Sequence, residues 1–375
     1  MVFADRYLPG YKSGGPIASI SRIVASEREH DVCVITRDRD AGDSQPYPDL
    51  HPRTWTRLGG ANVTYLRPGY RDWPWVISEI RRWKPDLYYV NSLQSPLFAL
   101  HVLLQLRVGS LPQAPVLLAP RGECSTGAQA LKPVKKQTAR PYIQRLIGSQ
   151  VTWHASSDLE MKDVLHWWGA PLPAGHRFIV RPDPAVPPQS TPSPGSGGNT
   201  PVVVFASRID PMKGLDQAIH ALSRVRIPVE FRIFGAIADQ EYWTTCERLL
   251  SQLPSHVSSR YLGTFSPRDV EEIFGTADLM ILPTKGENFG HVIAEALATG
   301  CPAGVSTRTL WSDTILAGSG CVTNDAQELA LYIEHLASTT LEQRVSQRQA
   351  VLSAYRSWFA ENDPQDSIFD LVLAP

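Results

Sequence analysis

Two glutamates, Glu287 and Glu295, stand eight positions apart in KGENFGHVIAEALATGCPAGVS, residues 285–306. Val292, Ile293, Ala296 and Leu297 recur at helical spacing, which puts Glu295 inside a short helix and Glu287 in the loop before it. Gly290 frees the backbone where that helix begins, and the unpaired N–H groups of its first turn point at negative charge. A carboxylate beside a helix start also gains from the dipole with no function attached. Upstream, VVVFASRIDPMKGLDQAI ends a strand at Ser207 and then presents Arg208 and Lys213. Arg offers a fork of donors and Lys a point charge, a combination suited to gripping a diphosphate. Taken alone, the same two cations read equally well as solvent-facing residues flanking a turn.

The elements that must position these groups repeat along the chain. In the first half DVCVIT, NVTYLR, DLYYVNS, PVLLAPRG, VTWHASS and RFIVRP have strand character; in the second, PVVVFAS, VEFRIFG, SSRYLGTF, DLMILPT and PAGVS do. Continuous apolar runs separated by helical patterns predict α/β architecture with parallel sheets covered on both faces. Between the halves lies PDPAVPPQSTPSPGSGGNTP, rich in Pro, Ser and Gly and without apolar periodicity, which reads as a linker. The division expected is a first domain over 1–182, a linker over 183–200, a second domain over 201–345, and a helical segment over 346–375 packing back on the first. Two doubly wound domains facing each other place a ligand cleft at the carboxyl ends of their strands.

ASRIDPMKG followed by LPTKGENFGHVIAEALATGCP resembles the donor half of the retaining GT-B glycosyltransferases, in particular their large fourth family with its Glu-x7-Glu motif. VEEIFGTADLMILPT before the motif and STRTLWSDTILAGSGCV after it agree, so the resemblance covers nearly all of the second domain. It implies two Rossmann-like domains and transfer of a sugar from a nucleotide-diphosphate donor to a glycan or glycolipid acceptor with retention, in polysaccharide or lipopolysaccharide biosynthesis. Glu295 would hold ribose hydroxyls and Glu287 hydroxyls of the transferred sugar, while Arg208 and Lys213 neutralise the leaving diphosphate. Phe289, Gly290, His291 and Trp311 would complete the donor site. On this division Glu295→Ala weakens donor binding and Glu287→Gln lowers turnover. No carboxylate stands out as an inverting base, which agrees with retention.

The first domain resembles the family more loosely. YLPGYKSGGPIASI is similar to its N-terminal glycine loop, so Gly14 and Gly15 would approach the donor and Lys12 the acceptor, although a Gly-Gly pair by itself is a turn signal. VTWHASSDLE is similar to the block that carries a histidine to the cleft, here His154, against the alternative of a structural histidine at a strand end. APRGECSTGAQALKPVKK would dock the acceptor, with Arg121 and Lys132 as anion contacts. The chain departs from the family in having RPDPAV where relatives show a PNG turn. Only MVFA precedes DRYLP, and four residues are short for a central strand, leaving open an upstream start or a weakened edge.

Composition limits the alternatives. The formal net charge is -1, so no global field recruits nucleic acid. Five cysteines without a CxxC pair read as reduced thiols in a cytoplasmic protein. No apolar h-region opens the chain, and no run reaches the roughly 20 residues of a spanning helix. Lys132, Lys135, Lys136, Arg140 and Arg145 fall in an acid-free stretch between Cys124 and Ser157. With apolar residues interleaved, they form either an ordinary solvated face or one that rests peripherally on the inner, anionic leaflet. TRDRD sets Asp38 and Asp40 in an Asp-x-Asp pattern suited to a divalent ion, but it follows a first-domain strand beside Arg37 and Arg39. The expectation is therefore transfer without metal or other cofactor, and tolerance of Asn at both positions. The rivals are a nucleotide-sugar 2-epimerase on the same scaffold and a non-catalytic nucleotide-sugar sensor; detection of a transferred sugar separates them.

Overall fold

A computed structural model describes residues 1–130, 133–169, 171–193, 195–363 and 366–373. The chain forms two units, Met1–Pro184 with Pro364–Pro375, and Ala185–Asp363.

The first unit holds β1 (Val2–Phe3), β2 (Cys33–Arg37), β3 (Thr56–Leu58), β4 (Ala61–Leu66), β5 (Tyr88–Val90), β6 (Val116–Leu118), β7 (Gln150–Ala155) and β8 (Gly175–Val180). They lie in the order β3-β4-β2-β1-β5-β6-β7-β8, parallel except for the β3–β4 pair. Its helices are α1 (Gly15–Ser26), α2 (Trp73–Trp83), α3 (His101–Arg107), α4 (Thr126–Ala130), α5 (Pro133–Ile147) and α6 (Asp158–Trp168). The two residues of β1 are enough because both neighbours pair with them: Val2 sits between Val34 and Tyr89, Phe3 between Ile35 and Val90. Side chains alternate across the sheet, so Phe3, Ile35 and Val90 enter one buried cluster and Val2, Val34 and Tyr89 the other.

The second unit runs β9 (Val202–Ala206), α7 (Leu215–Leu222), β10 (Val229–Phe234), α8 (Gln240–Leu250), β11 (Val257–Tyr261), α9 (Val270–Gly275), β12 (Leu279–Leu282), α10 (His291–Ala298), β13 (Ala303–Val305), α11 (Ser312–Ala317), β14 (Cys321–Val322), α12 (Ala326–Ser338) and α13 (Leu341–Asn362). Its sheet is wholly parallel in the order β11-β10-β9-β12-β13-β14. That is the dinucleotide-fold order, with a crossover reversal between β9 and β12 where a crevice opens at the strands' carboxyl ends. Both central strands, VVVFA and LMIL, are fully buried, as expected for strands covered by helices on both faces.

Two expected boundaries are corrected. The Pro/Ser/Gly-rich stretch from 185 belongs to the second unit and is fastened to it. Arg348, 2% exposed, donates to the carbonyls of Ser193, Ala277 and Phe274. Asp278 accepts from the Ser196 and Val202 amides, which ties the end of the segment to the residue that precedes β12. The C-terminal segment divides: α13 packs against α10 and α11, while only its continuation, with α14 (Asp370–Leu373), joins the first unit. There Ile368, Phe369 and Val372 enter the buried cluster around Val34 and Tyr89.

Candidate active site

The loops that leave β9 and β12 meet at the crossover reversal of the second unit. Gly214, at φ 72°, caps α7 in the left-handed region, and a Cβ there would lie 2.1 Å from the Pro283 carbonyl oxygen. Only glycine permits that approach. The Lys285 amide donates to Met212 O and the Thr284 hydroxyl donates to the same oxygen, which knits the two loops together. The result is a direct pair: Lys213 Nζ lies 2.7 Å from Glu287 Oε2 and 3.0 Å from Oε1. Their side chains are 14% and 11% exposed, so the pair is shielded yet accessible. A lysine has three N–H donors, and Glu287 occupies two of them. Arg208 stands 3.4 Å from Asp210 with 44% of its side chain exposed.

Gly290, φ 82°, is the N-cap of α10, and no side chain caps that helix end. A Cβ on it would lie 2.9 Å from Glu287 Cγ and 3.2 Å from Trp311 Nε1. Glu295 follows in the second turn of α10, partly buried. Phe289 is 2% and His291 6% exposed, with ring centroids 4.6 Å apart.

Several residues expected to touch ligand do other work. Trp311 is wholly buried among Tyr355, Trp358 and Phe289, and its indole N–H donates to Phe289 O at 2.5 Å. It holds the loop before α10. In the first unit His154 is 1% exposed, because β7 directs it inward. Its Nδ1 is 2.8 Å from Tyr89 Oη and its Nε2 3.1 Å from Arg181 O. Arg121 is equally committed: Nε donates to Asn91 Oδ1, Nη2 to Tyr89 Oη, and Nη1 to Asp183 Oδ1 at 2.6 Å. That ion pair is 4% and 0% exposed, so the anion contact expected of Arg121 is an internal one. Lys12 pairs with Asp43 at 2.6 Å, Gly14 is the N-cap of α1, and Gly15 is its first residue. Lys132 lies outside the described residues.

Sequence reasoning missed Asp183, buried within RPDPAV, which also accepts from Ser19 Oγ at 2.5 Å. A carboxylate set between two prolines at a domain's end was the available signal. It missed Glu160 too, whose two oxygens accept from the Gly122 and Ser156 amides. Arg121 holds a left-handed backbone, φ 55°, a conformation that costs a non-glycine residue energy and persists only where surroundings fix it. Among the described residues no three His, Cys, Asp or Glu side chains gather as a metal-ligand set.

These two doubly wound units have counterparts in solved structures. Anabaena HepE in complex with UDP-glucose superposes with a TM-score of 0.70 at 16% identity, over 96% of this chain and 94% of that one. The fold is GT-B. Residues 188–351, most of the second GT-B unit, match the family model described as glycosyl transferases group 1. A D-inositol 3-phosphate glycosyltransferase of Xylanimonas cellulosilytica is 28% identical over 181 residues, 42% of each chain. A GDP-mannose-dependent monoacylated alpha-(1-6)-phosphatidylinositol monomannoside mannosyltransferase of Corynebacterium glutamicum is 30% identical over 138 residues, 34% of this chain and 35% of the relative. The chain thus spans less than half the length of the curated relatives it matches.

The geometry around His154 gives a pH dependence. Tyr89 accepts from Arg121, so its own proton goes to His154 Nδ1, leaving the imidazole neutral with its proton on Nε2 toward Arg181 O. Burial, reinforced by the Arg121 charge, lowers its pKa from 6.5 to about 4. The unfolded chain therefore binds the extra proton first as pH falls, and the stability this neutral histidine holds above pH 6.5 is lost on the way to pH 4. Between pH 7 and 4.5 the loss should be about 2 to 3 kcal/mol. Urea denaturation of wild type and His154→Gln at both pH values checks it: the variant's acid loss should be smaller by that amount.

Proposed function

We propose that this chain is a retaining glycosyltransferase that moves a sugar from a nucleoside-diphosphate donor to a glycan or glycolipid acceptor. The observation that carries the reading is the Lys213–Glu287 pair beside Arg208 and the open start of α10, all at the crossover reversal of the second unit. The family-model match over the same residues supports it. So do the names of the relatives, one acting on inositol phosphate and one on a phosphatidylinositol mannoside, and the UDP-glucose held by the Anabaena protein.

Breaking a glycosyl–phosphate bond builds positive charge on the sugar and negative charge on the departing diphosphate. Lys213 keeps one N–H beyond the two that Glu287 accepts, and Arg208 extends toward solvent, so both cations can meet the diphosphate as its charge grows. Glu287 orients the ammonium and, as the lysine turns to phosphate, frees carboxylate oxygens for sugar hydroxyls. Glu295, one turn into α10, takes the ribose hydroxyls. A front-face course, in which the donor's own phosphate oxygen accepts the acceptor proton, fits a site whose carboxylates are engaged in this way.

For the acceptor we propose a lipid-linked or polymeric glycan brought to a peripheral membrane surface by α5. Val134 and Tyr142 are 74% and 55% exposed there, and Lys135, Arg140 and Arg145 are exposed with them. Among the described residues no helix is long and apolar enough to cross a membrane. Cations together with exposed apolar residues favour an anionic leaflet.

Three outcomes are expected. Arg208→Ala and Lys213→Ala should each lose about 1.5 to 3 kcal/mol of affinity for whichever of UDP, GDP or ADP binds, and far less for the matching nucleoside. Calorimetry reads this directly, and equal weakening of both ligands would rule out a diphosphate clamp. Transfer should persist in excess EDTA and give a product whose NMR linkage retains the donor's anomeric configuration. An inverted product, or activity that returns only with Mn2+, would remove the proposed mechanism. Finally, the protein should sediment with vesicles containing anionic lipid and not with zwitterionic ones, and Lys135→Glu/Arg140→Glu/Arg145→Glu should abolish sedimentation.

A further inference from the structure

Three tryptophans gather on the outside of the first unit, and none of them belongs to the candidate site. Trp75 and Trp83 lie about two turns apart on one flank of α2, with Glu79 midway between them. Trp73, Val76 and Ile80 make the buried stripe of the same helix. Trp55 comes from the segment that leads into β3. Its ring centroid is 6.2 Å from that of Trp75 and 5.7 Å from that of Trp83, at interplanar angles of 39° and 62°. Neither pair stacks flat, so indole faces stay uncovered. Trp55 and Trp75 back onto the apolar core, while Trp83 is 39% exposed. A surface cluster of the largest side chains is the kind of exposed apolar patch that marks a binding surface.

A carboxylate sits among the rings with bonding capacity to spare. Glu79 Oε2 accepts from Trp55 Nε1 at 2.7 Å and from Arg82 Nη2 at 2.8 Å. Nothing among the described residues donates to its Oε1, and the side chain keeps 13% of its surface exposed. Arg82 has four further N–H groups that make no bond among the described residues. Its side chain is 66% exposed, and its guanidinium carbon lies 5.9 Å from the centre of the Trp83 ring. Flat apolar rings, an open acceptor and open donors therefore share one flank of α2.

We propose that this cluster is a docking platform for a neutral glycan chain, with a pyranose ring resting on Trp83 and its hydroxyls meeting Glu79 Oε1 and Arg82. A pyranose has the matching surfaces: an apolar face of C–H groups, and an edge of hydroxyls that both donate and accept. Indole supplies a large rigid face at low entropic cost. An anionic leaflet is the rival occupant, because Arg81 and Lys84 are exposed beside Arg82 in the sequence. The polar groups favour the sugar. A carboxylate amid the rings opposes an anionic surface. The indole N–H of Trp55, which an interfacial tryptophan turns to the wet side, is already given to Glu79. The platform lies within the first unit, goes beyond the transfer reaction proposed above and does not depend on it.

Indole N–H NMR of the full chain, titrated with maltohexaose, cellohexaose and mannohexaose, tests the platform. The signals of Trp55, Trp75 and Trp83, assigned by single substitution, should move saturably with at least one of these probes. Trp83→Ala removes an exposed ring and spares the core, and it should weaken that binding about tenfold or more. Glu79→Gln keeps the volume but loses acceptor capacity, and it should weaken binding about fivefold. Saturable shifts of the three indoles, lost in both variants at an unchanged melting midpoint, support the proposal. Silence of those indoles with all three probes overturns it, as do shifts confined to other tryptophans or wild-type affinity in a folded variant. If Trp83→Ala abolishes sedimentation with anionic vesicles, or splits a dimer in analytical ultracentrifugation, while no probe moves the indoles, the occupant is a lipid surface or a second copy and the proposal falls. Failure of the wild type to transfer sugar would remove the transferase reading and leave this binding measurement intact.

Discussion

The candidate site depends on the pairing of β9 with β12, in which Leu279 lies against Val203 and Met280 against Val204. Parallel strands deliver every following loop to the same edge of the sheet, and a crossover reversal leaves two neighbouring loops with no connection passing between them. Residues 74 apart in sequence, Lys213 and Glu287, come within hydrogen-bond distance for that reason. Local features then refine what topology provides. Gly214 lets one loop lie on the other, and Trp311 holds the carbonyl that precedes the Gly290 cap.

The first unit solves a different problem with buried charge. Arg121, Asp183, Tyr89, Asn91, Ser19 and His154 form one hydrogen-bonded group that joins α1, the ends of β5, β6 and β7, and the segment leaving β8. A buried ion pair earns little net stability over apolar packing, but removing one partner leaves an uncompensated charge. Its directional bonds do what apolar contacts cannot. They hold Arg121 in a left-handed backbone conformation and fix the chain at the point where it leaves the unit.

Polar residues with motif spacing therefore divide by environment. Glu287 and Lys213 face each other in partial contact with solvent, where a ligand can compete for either. Asp40, Asp183, Glu160 and His154 are sealed, and each has its capacity taken by neighbours. Free capacity and access, more than residue type, separate a group able to meet substrate from one that holds the frame.

Much of this was legible in the sequence. Alternating strand and helix patterns predicted two α/β halves, and the structure has two α/β units with largely parallel sheets. The apolar run around LMIL and the spacing of Ile293, Ala296 and Leu297 belong to strand and helix in the structure as read. Other assignments were beyond it. Whether His154 pointed to a cleft or into the core turned on the facing of β7, and period-two alternation does not say which face is covered. The Pro/Ser/Gly-rich stretch looked like a linker because its anchors, Arg348 and Asp278, are distant in sequence. Asp38 and Asp40 had the spacing of metal ligands, and only the fold showed amides and an arginine already occupying them. Local pattern determined which elements form and where cations and carboxylates fall along them. Tertiary structure decided which of those charges keep unspent bonding capacity, because that depends on neighbours brought from elsewhere in the chain and on the water they exclude.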